Sequence, residues 1–162
     1  IINDWLKTLN WDELQDFNCC QKTWEDGPYG REKDFYGTSN KNRNAMTTDG
    51  TARIMEEIMQ NINFNEKNIN LKNCLYREIK EQSQDKNTNN QINGFLGEGL
   101  PQKIPFWSKA GLMSEARHDA AWWINKNQSK TLLVVFTEGK ELANNNKFLP
   151  EFSKAIYEFI HP

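Results

Sequence analysis

Trp122 and Trp123 stand side by side in "ARHDAAWWIN", a strand-like run flanked by two further strand-like segments. Neighbouring residues of a strand point to opposite faces, so adjacent tryptophans require both faces of the sheet to be covered. A sheet lying between helical layers meets that requirement. Three strands are expected, at 103–109, 116–125 and 131–137, joined by connections short enough for hairpins.

Upstream the pattern is helical. Trp5, Leu6, Leu9, Leu14 and Phe17 follow helix-like spacing interrupted near Asn10, where Asn10 and Glu13 suggest a capped restart. Thr47 or Thr48 caps a second helix with Ala52, Met55, Ile58, Met59 and Ile62 on one face. A third helix is expected over 68–80, burying Leu71, Leu75 and Ile79. The last helix starts after Asn146, admits Pro150 in its first turn and buries Phe152, Ile156, Phe159 and Ile160. Two irregular stretches separate these elements. Residues 18–46 are long for a structureless loop, and their aromatics (Trp24, Tyr29, Phe35, Tyr36) favour an ordered, functional one. Residues 82–93 are rich in Asn and Gln and read as an exposed loop. Helices first, then an antiparallel meander closed by a helix, make an α+β fold.

A chain of 162 residues suits one domain. Its organisation is read as 1–100, helical with a long loop, and 101–162, three strands and the C-terminal helix. The first residue is Ile1 rather than Met, which suggests a processed product, a trimmed chain or a fragment, and in the last case the whole, 1–162, is a single partial domain. A net charge of −2 argues against a nucleic-acid partner, and no apolar run has the length of a membrane span. Cys19 and Cys20 are vicinal and Cys74 is remote, so the three are read as free thiols. With only His118 and His161 to assist, no zinc spacing exists, and no metal or other cofactor is expected.

The segments "GLP…IPFWSKAGLMSEARHDAAWW…TLLVVFTEG…FSKAIYEFI" resemble the C-terminal third of class A serine β-lactamases and the related penicillin-interacting D,D-peptidases. In that family a strand ends in Lys-Thr/Ser-Gly and the next opens with an Arg-Asn-Asp-like triplet. The corresponding residues are Lys109-Ala110-Gly111 and Arg117-His118-Asp119. "MTTDGTARIMEEI" is similar to the family's Thr-Thr-Pro helix start, with Asp49 in place of Pro. "KTWEDGPYG" resembles the start of its Ω-loop, which makes Glu25 the candidate general base. The resemblance implies an α+β fold forming part of a β-lactamase-like sandwich, and acyl-enzyme chemistry on a peptide-like amide or ester.

Such chemistry needs a nucleophile, a base, an oxyanion hole and a handle for the substrate carboxylate. By resemblance the backbone N–H of Leu112 is the oxyanion donor, and Gly111 lets the substrate backbone approach. Lys109 supplies positive potential and Arg117 binds the carboxylate. Taken alone, a Lys-x-Gly at a strand end is equally a solvated cation before a turn, and Glu25 equally a loop carboxylate. A one-residue slip would turn Arg117 to the other face, and His118 reads as a structural strand residue. Ala110 lacks the hydroxyl that the family places there.

The family's nucleophile is the Ser of Ser-x-x-Lys, followed by Ser/Tyr-x-Asn. The chain's Ser-x-x-Lys, Ser83-Gln-Asp-Lys86, lies in the polar loop, and Ser/Tyr-x-Asn does not occur. The expected function is therefore the C-terminal part of a serine hydrolase whose nucleophile lies outside this chain. The alternatives are a non-catalytic binding or assembly module on the same scaffold and an unrelated α+β interaction domain. Expected partners are a missing N-terminal segment of the same fold, or a second copy, and a peptide-like or β-lactam-like small molecule. The resemblance implies a periplasmic or extracellular setting.

Overall fold

A computed structural model describes residues 2–19, 34, 42–60, 71–85 and 90–161. In chain order these form helix α1 (Ile2–Thr8), a 3-10 turn (Asp12–Leu14), α2 (Thr48–Gln60), α3 (Leu71–Leu75) and strand β1 (Tyr76–Arg77). Then come α4 (Ile79–Gln84), a second 3-10 turn (Leu96–Gly99) and strands β2 (Phe106–Met113), β3 (Ala116–Ile124) and β4 (Lys130–Val135). Helices α5 (Lys140–Asn144) and α6 (Phe148–Ile160) complete the series. The sheet is antiparallel throughout, in the order β1-β2-β3-β4, so the α+β class expected from sequence is the one found.

The chain falls into two compact units, residues 1–53 and 54–162. In the first, α1 ends where Asn10 adopts a left-handed backbone with φ of 52°. Asn tolerates that conformation better than most residues. The restart after it is a 3-10 turn rather than a capped helix: its N-cap residue is Trp11, with no side-chain cap. Thr47 caps α2 as expected, its Oγ1 accepting the N–H of Gly50 at 3.0 Å. A Cβ on Gly50 would sit 2.7 Å from the carbonyl oxygen of Glu13, so only glycine fits that approach. Trp24, Glu25, Tyr29, Phe35 and Tyr36 lie outside the described residues.

The second unit is organised by β3, which carries two apolar clusters on its two faces. Trp123 packs with Phe95, Leu96, Phe106, Ala121 and Leu149. Trp122 packs with Met55 and Met59 of α2 and with Trp107, Ile124 and Leu132. Both tryptophans are buried, as their adjacency required.

Three details differ from the sequence expectation. The helix expected over 68–80 is split by β1, because Tyr76 and Arg77 pair with Trp107 and Phe106 and the Tyr76 ring meets Trp107 edge-on at 5.6 Å. Tertiary pairing overrides helical spacing there. The first meander strand begins and ends later than expected. A turn in which the Ile104 N–H bonds to the Pro101 carbonyl delays its start. Pairing with β3 then carries it through Ala110 and Gly111 to a two-residue turn at Ser114 and Glu115. Lys109-Ala110-Gly111 is therefore strand interior rather than a strand end.

Finally, α6 docks through a face other than its most apolar one. Leu149 and Ser153 are buried, whereas Phe152, Ile160 and, at 82% relative exposure, Phe159 are exposed. Small residues set this register. The Ser153 hydroxyl donates to the Leu96 carbonyl at 2.7 Å, and a Cβ on Gly99 would collide with the Pro150 carbonyl.

Candidate functional site

Among the described residues the sheet has two edges, β4 and the part of β2 beyond β1, and the candidate residues lie on the β2 edge. β1 is two residues long and covers only Phe106 and Trp107. Past that point the backbone N–H and C=O of every second residue of β2 turn outward, away from β3. Two observations fix which residues these are. The Ala110 N–H donates to the Gln91 side-chain oxygen at 3.0 Å rather than to β3. Across the ladder from Leu112, both the N–H and the C=O of Arg117 are bonded to the Thr137 hydroxyl, at 3.1 and 2.8 Å. Arg117 thus spends its backbone on the β4 side, and Leu112, its non-hydrogen-bonded partner, presents its own N–H and C=O to the open edge.

Ala110 and Leu112 are the last two outward positions of the strand, after Ser108. Both polar groups of Ala110 are taken, since Lys109 Nζ curls back to donate to its carbonyl oxygen. This brings the Lys109 ammonium to the edge although the side chain leaves the opposite face of the strand. Leu112 is 49% exposed. Between them, a Cβ on Gly111 would meet nothing within 4 Å among the described residues, so the Lys109 face of the strand is open at that point. Lys109, Gly111 and Leu112, expected together from sequence, are brought together here.

Arg117 shares the face of Ala110 and Leu112, opposite Lys109. Its guanidinium is buried: Nε donates to the Ala143 carbonyl at 3.0 Å and an Nη to that of Gly94 at 3.1 Å, above the Phe95 ring. It clasps two loops and does not project freely into solvent. His118 lies on the Lys109 face, cross-strand from Gly111. Its Nδ1 accepts the Thr137 N–H at 3.1 Å, its ring packs on Phe136 at 4.5 Å, and burial pushes its pKa down. These contacts match the structural role expected of it. Ser83, on α4, donates its hydroxyl to the Lys80 carbonyl at 3.0 Å. Glu25 lies outside the described residues.

Three polar residues lie behind this edge, of which sequence names only Asp119, in the Arg117-His118-Asp119 triplet and without a role. Asp119, cross-strand from Ala110, is fully buried, with one carboxylate oxygen accepting the Leu96 N–H at 3.0 Å and the other without a partner. Burial pushes its pKa up to about 7, against the opposing pull of the Leu96 and Ala120 N–H groups and of the Lys109 and Arg77 charges. Arg77, on the same face, donates to the Gln91 oxygen at 3.4 Å. The two-residue strand period could have placed Asp119 on the inward face with Ala121 and Trp123. Nothing in the Asn/Gln-rich loop distinguished Gln91. Among the described residues no group of three His, Cys, Asp or Glu could hold a metal ion, and Cys19 and Cys74 are unbridged. No described helix is long and apolar enough to cross a membrane.

The helix-backed antiparallel sheet is that of a β-lactamase-like serine hydrolase fold, as two comparisons show. The chain belongs to the β-lactamase enzyme family, whose model matches residues 2–160. Its fold is similar to that in a crystal structure of a representative of class A β-lactamase from Bacteroides cellulosilyticus DSM 14838, with a TM-score of 0.64 at 19% identity. That match covers 98% of this chain and 53% of the other, so the chain spans about half of that protein's length. No match is found among curated proteins.

Proposed function

We propose that this chain forms the substrate-binding wall of a serine hydrolase that acts by acyl-enzyme chemistry on a peptide-like amide or ester. The observation carrying the reading is the Leu112 backbone, turned to an edge that no described strand pairs, beside the Lys109 ammonium. In this reading the Leu112 N–H stabilises the developing oxyanion, Gly111 admits the substrate backbone and Lys109 attracts a carboxylate. Arg117 adds positive potential from the Ala110 face while it holds the loops at Gly94 and Ala143, and Glu25 serves as the base. The nucleophile lies outside residues 1–162, on an N-terminal segment of the same fold, so that 1–162 is part of a larger domain.

A second reading, a binding or assembly module without catalysis, is favoured by Ala110. That position has no hydroxyl, and its N–H and C=O are both already bonded. The two readings separate when the product of the whole reading frame is incubated with a fluorescent penicillin and a fluorophosphonate. The hydrolase reading predicts a covalent adduct on a serine outside residues 1–162, and a longer-lived adduct in Glu25→Gln. A folded product that forms no adduct with either reagent supports the binding module.

A further inference from the structure

Edge strands are open templates for extended chains, and proteins control them by covering part of their length. The edge of β2 is covered in two different ways. Backbone pairing with β1 covers Phe106 and Trp107. Beyond it, at Ala110, a side chain takes over: the Gln91 oxygen occupies the N–H where another strand's carbonyl would bond. Gln91 is held there by Arg77, whose guanidinium also bonds the carbonyls of Cys74 and Tyr76 and is thus fixed to β1. The first outward position left for a ligand is Leu112.

We infer that Gln91 is a specificity-determining residue that closes the edge of β2 at Ala110. The inference rests on the reading of this edge as the substrate wall. A peptide adding antiparallel, as every pair in this sheet does, would run its C-terminal direction from Leu112 toward Ala110. Its chain must end there, because the next backbone carbonyl meets an N–H that Gln91 already holds. Ligands that terminate opposite Ala110 fit. Chains that continue past Ala110 are stopped by Gln91 before they reach β1.

The test uses the 15N-labelled product of the whole reading frame. In the wild type the Ala110 amide is protected from hydrogen exchange and the Leu112 amide is not. Gln91→Ala raises the Ala110 exchange rate at least tenfold, and Gln91→Glu, which keeps an acceptor oxygen for both Ala110 and Arg77, restores protection. Unchanged Ala110 protection in a folded Gln91→Ala chain overturns the inference.

Two probes then test specificity: an acetylated tripeptide with a free carboxylate, and the same peptide continued by one residue past that carboxyl, which stops short of the stretch that β1 covers. The short peptide shifts the Leu112 resonance in every version. The long one does so only in Gln91→Ala. A wild-type chain that takes both equally overturns the inference and leaves the substrate wall standing. A Leu112 resonance silent to both peptides in all three proteins overturns the substrate wall itself and the specificity claim with it.

Discussion

Leu112 and Arg117 face each other across β2 and β3, and their backbones point in opposite directions. Arg117 bonds through both its N–H and its C=O to Thr137 on the β4 side, so Leu112 has its polar groups toward the free edge. The sheet thereby stays intact where the site is open, because the groups offered to a ligand are ones the ladder does not use. In the proposed function the free edge of β2 serves recognition while buried β3 serves stability.

Two glycines separate these roles. Gly111→Ala places a methyl in open space and leaves the unfolding midpoint nearly unchanged. It still hinders a ligand lying on the edge, so it lowers the acylation rate of the whole-frame product. Gly99→Ala drives a methyl into the Pro150 carbonyl and the Ser153 hydroxyl. Such overpacking costs roughly 1–3 kcal/mol and should lower the melting temperature by several degrees. Calorimetry of the two variants checks both. Equal stability losses would contradict the assignment of Gly111 to the ligand side.

Asp119 makes stability depend on pH in a definite direction. Its pKa is raised from the ordinary 3.8 to about 7 in the folded chain. Between those values the unfolded chain has released a proton that the folded chain keeps. Stability contributed by this group therefore falls as pH rises through the window and levels off above it. The full drop is on the order of 4 kcal/mol, at about 1.36 kcal/mol per pH unit. Asp119→Asn keeps an acceptor for the Leu96 N–H and has no charge to bury. Denaturant titrations at pH 5 and pH 8 should show the wild type losing stability relative to the variant. A difference that stays constant with pH would exclude the buried acid as the cause.

Removing the Arg117 clasp tests whether that residue is structural. Arg117→Met leaves the Gly94 and Ala143 carbonyls without their charged donor. Hydrogen bonds to charged groups contribute about 1.5–3 kcal/mol each, so the loss should exceed 2 kcal/mol by urea denaturation. Faster amide exchange through α5 should accompany it. A fully stable variant with weakened carboxylate binding would make Arg117 primarily a ligand anchor.

The large features of this fold were legible because they rest on patterns the chain must obey. Trp122 beside Trp123 demanded a sheet covered on both faces, and Thr47 announced the start of α2. Strand limits were less legible. Ala110 and Gly111 have weak intrinsic strand preference, and only their partners Asp119 and His118 keep them in β2. The buried face of α6 was misjudged for a related reason: Gly99 and Ser153 permit a close approach that outweighs burial of Phe152 and Phe159.

At the candidate site, the motif marks Lys109, Gly111 and Leu112 as candidates. The roles of Gln91 and Arg77 could not be named, since each depends on contacts distant in sequence. Nor could the direction of the Leu112 amide, because it follows from ladder register rather than residue type.

The central claim is that the Leu112 N–H stabilises the transition state from the edge of β2. Leu112→Pro removes that donor, and an edge strand tolerates proline where its N–H is not part of the ladder. The direct measurement is the rate of adduct formation with a fluorescent penicillin by the whole-frame product, wild type against Leu112→Pro, with melting curves to show that both are folded. Removal of one oxyanion donor predicts a roughly 10²–10³-fold slower reaction at nearly unchanged stability. An unchanged rate in a folded variant would contradict the claim.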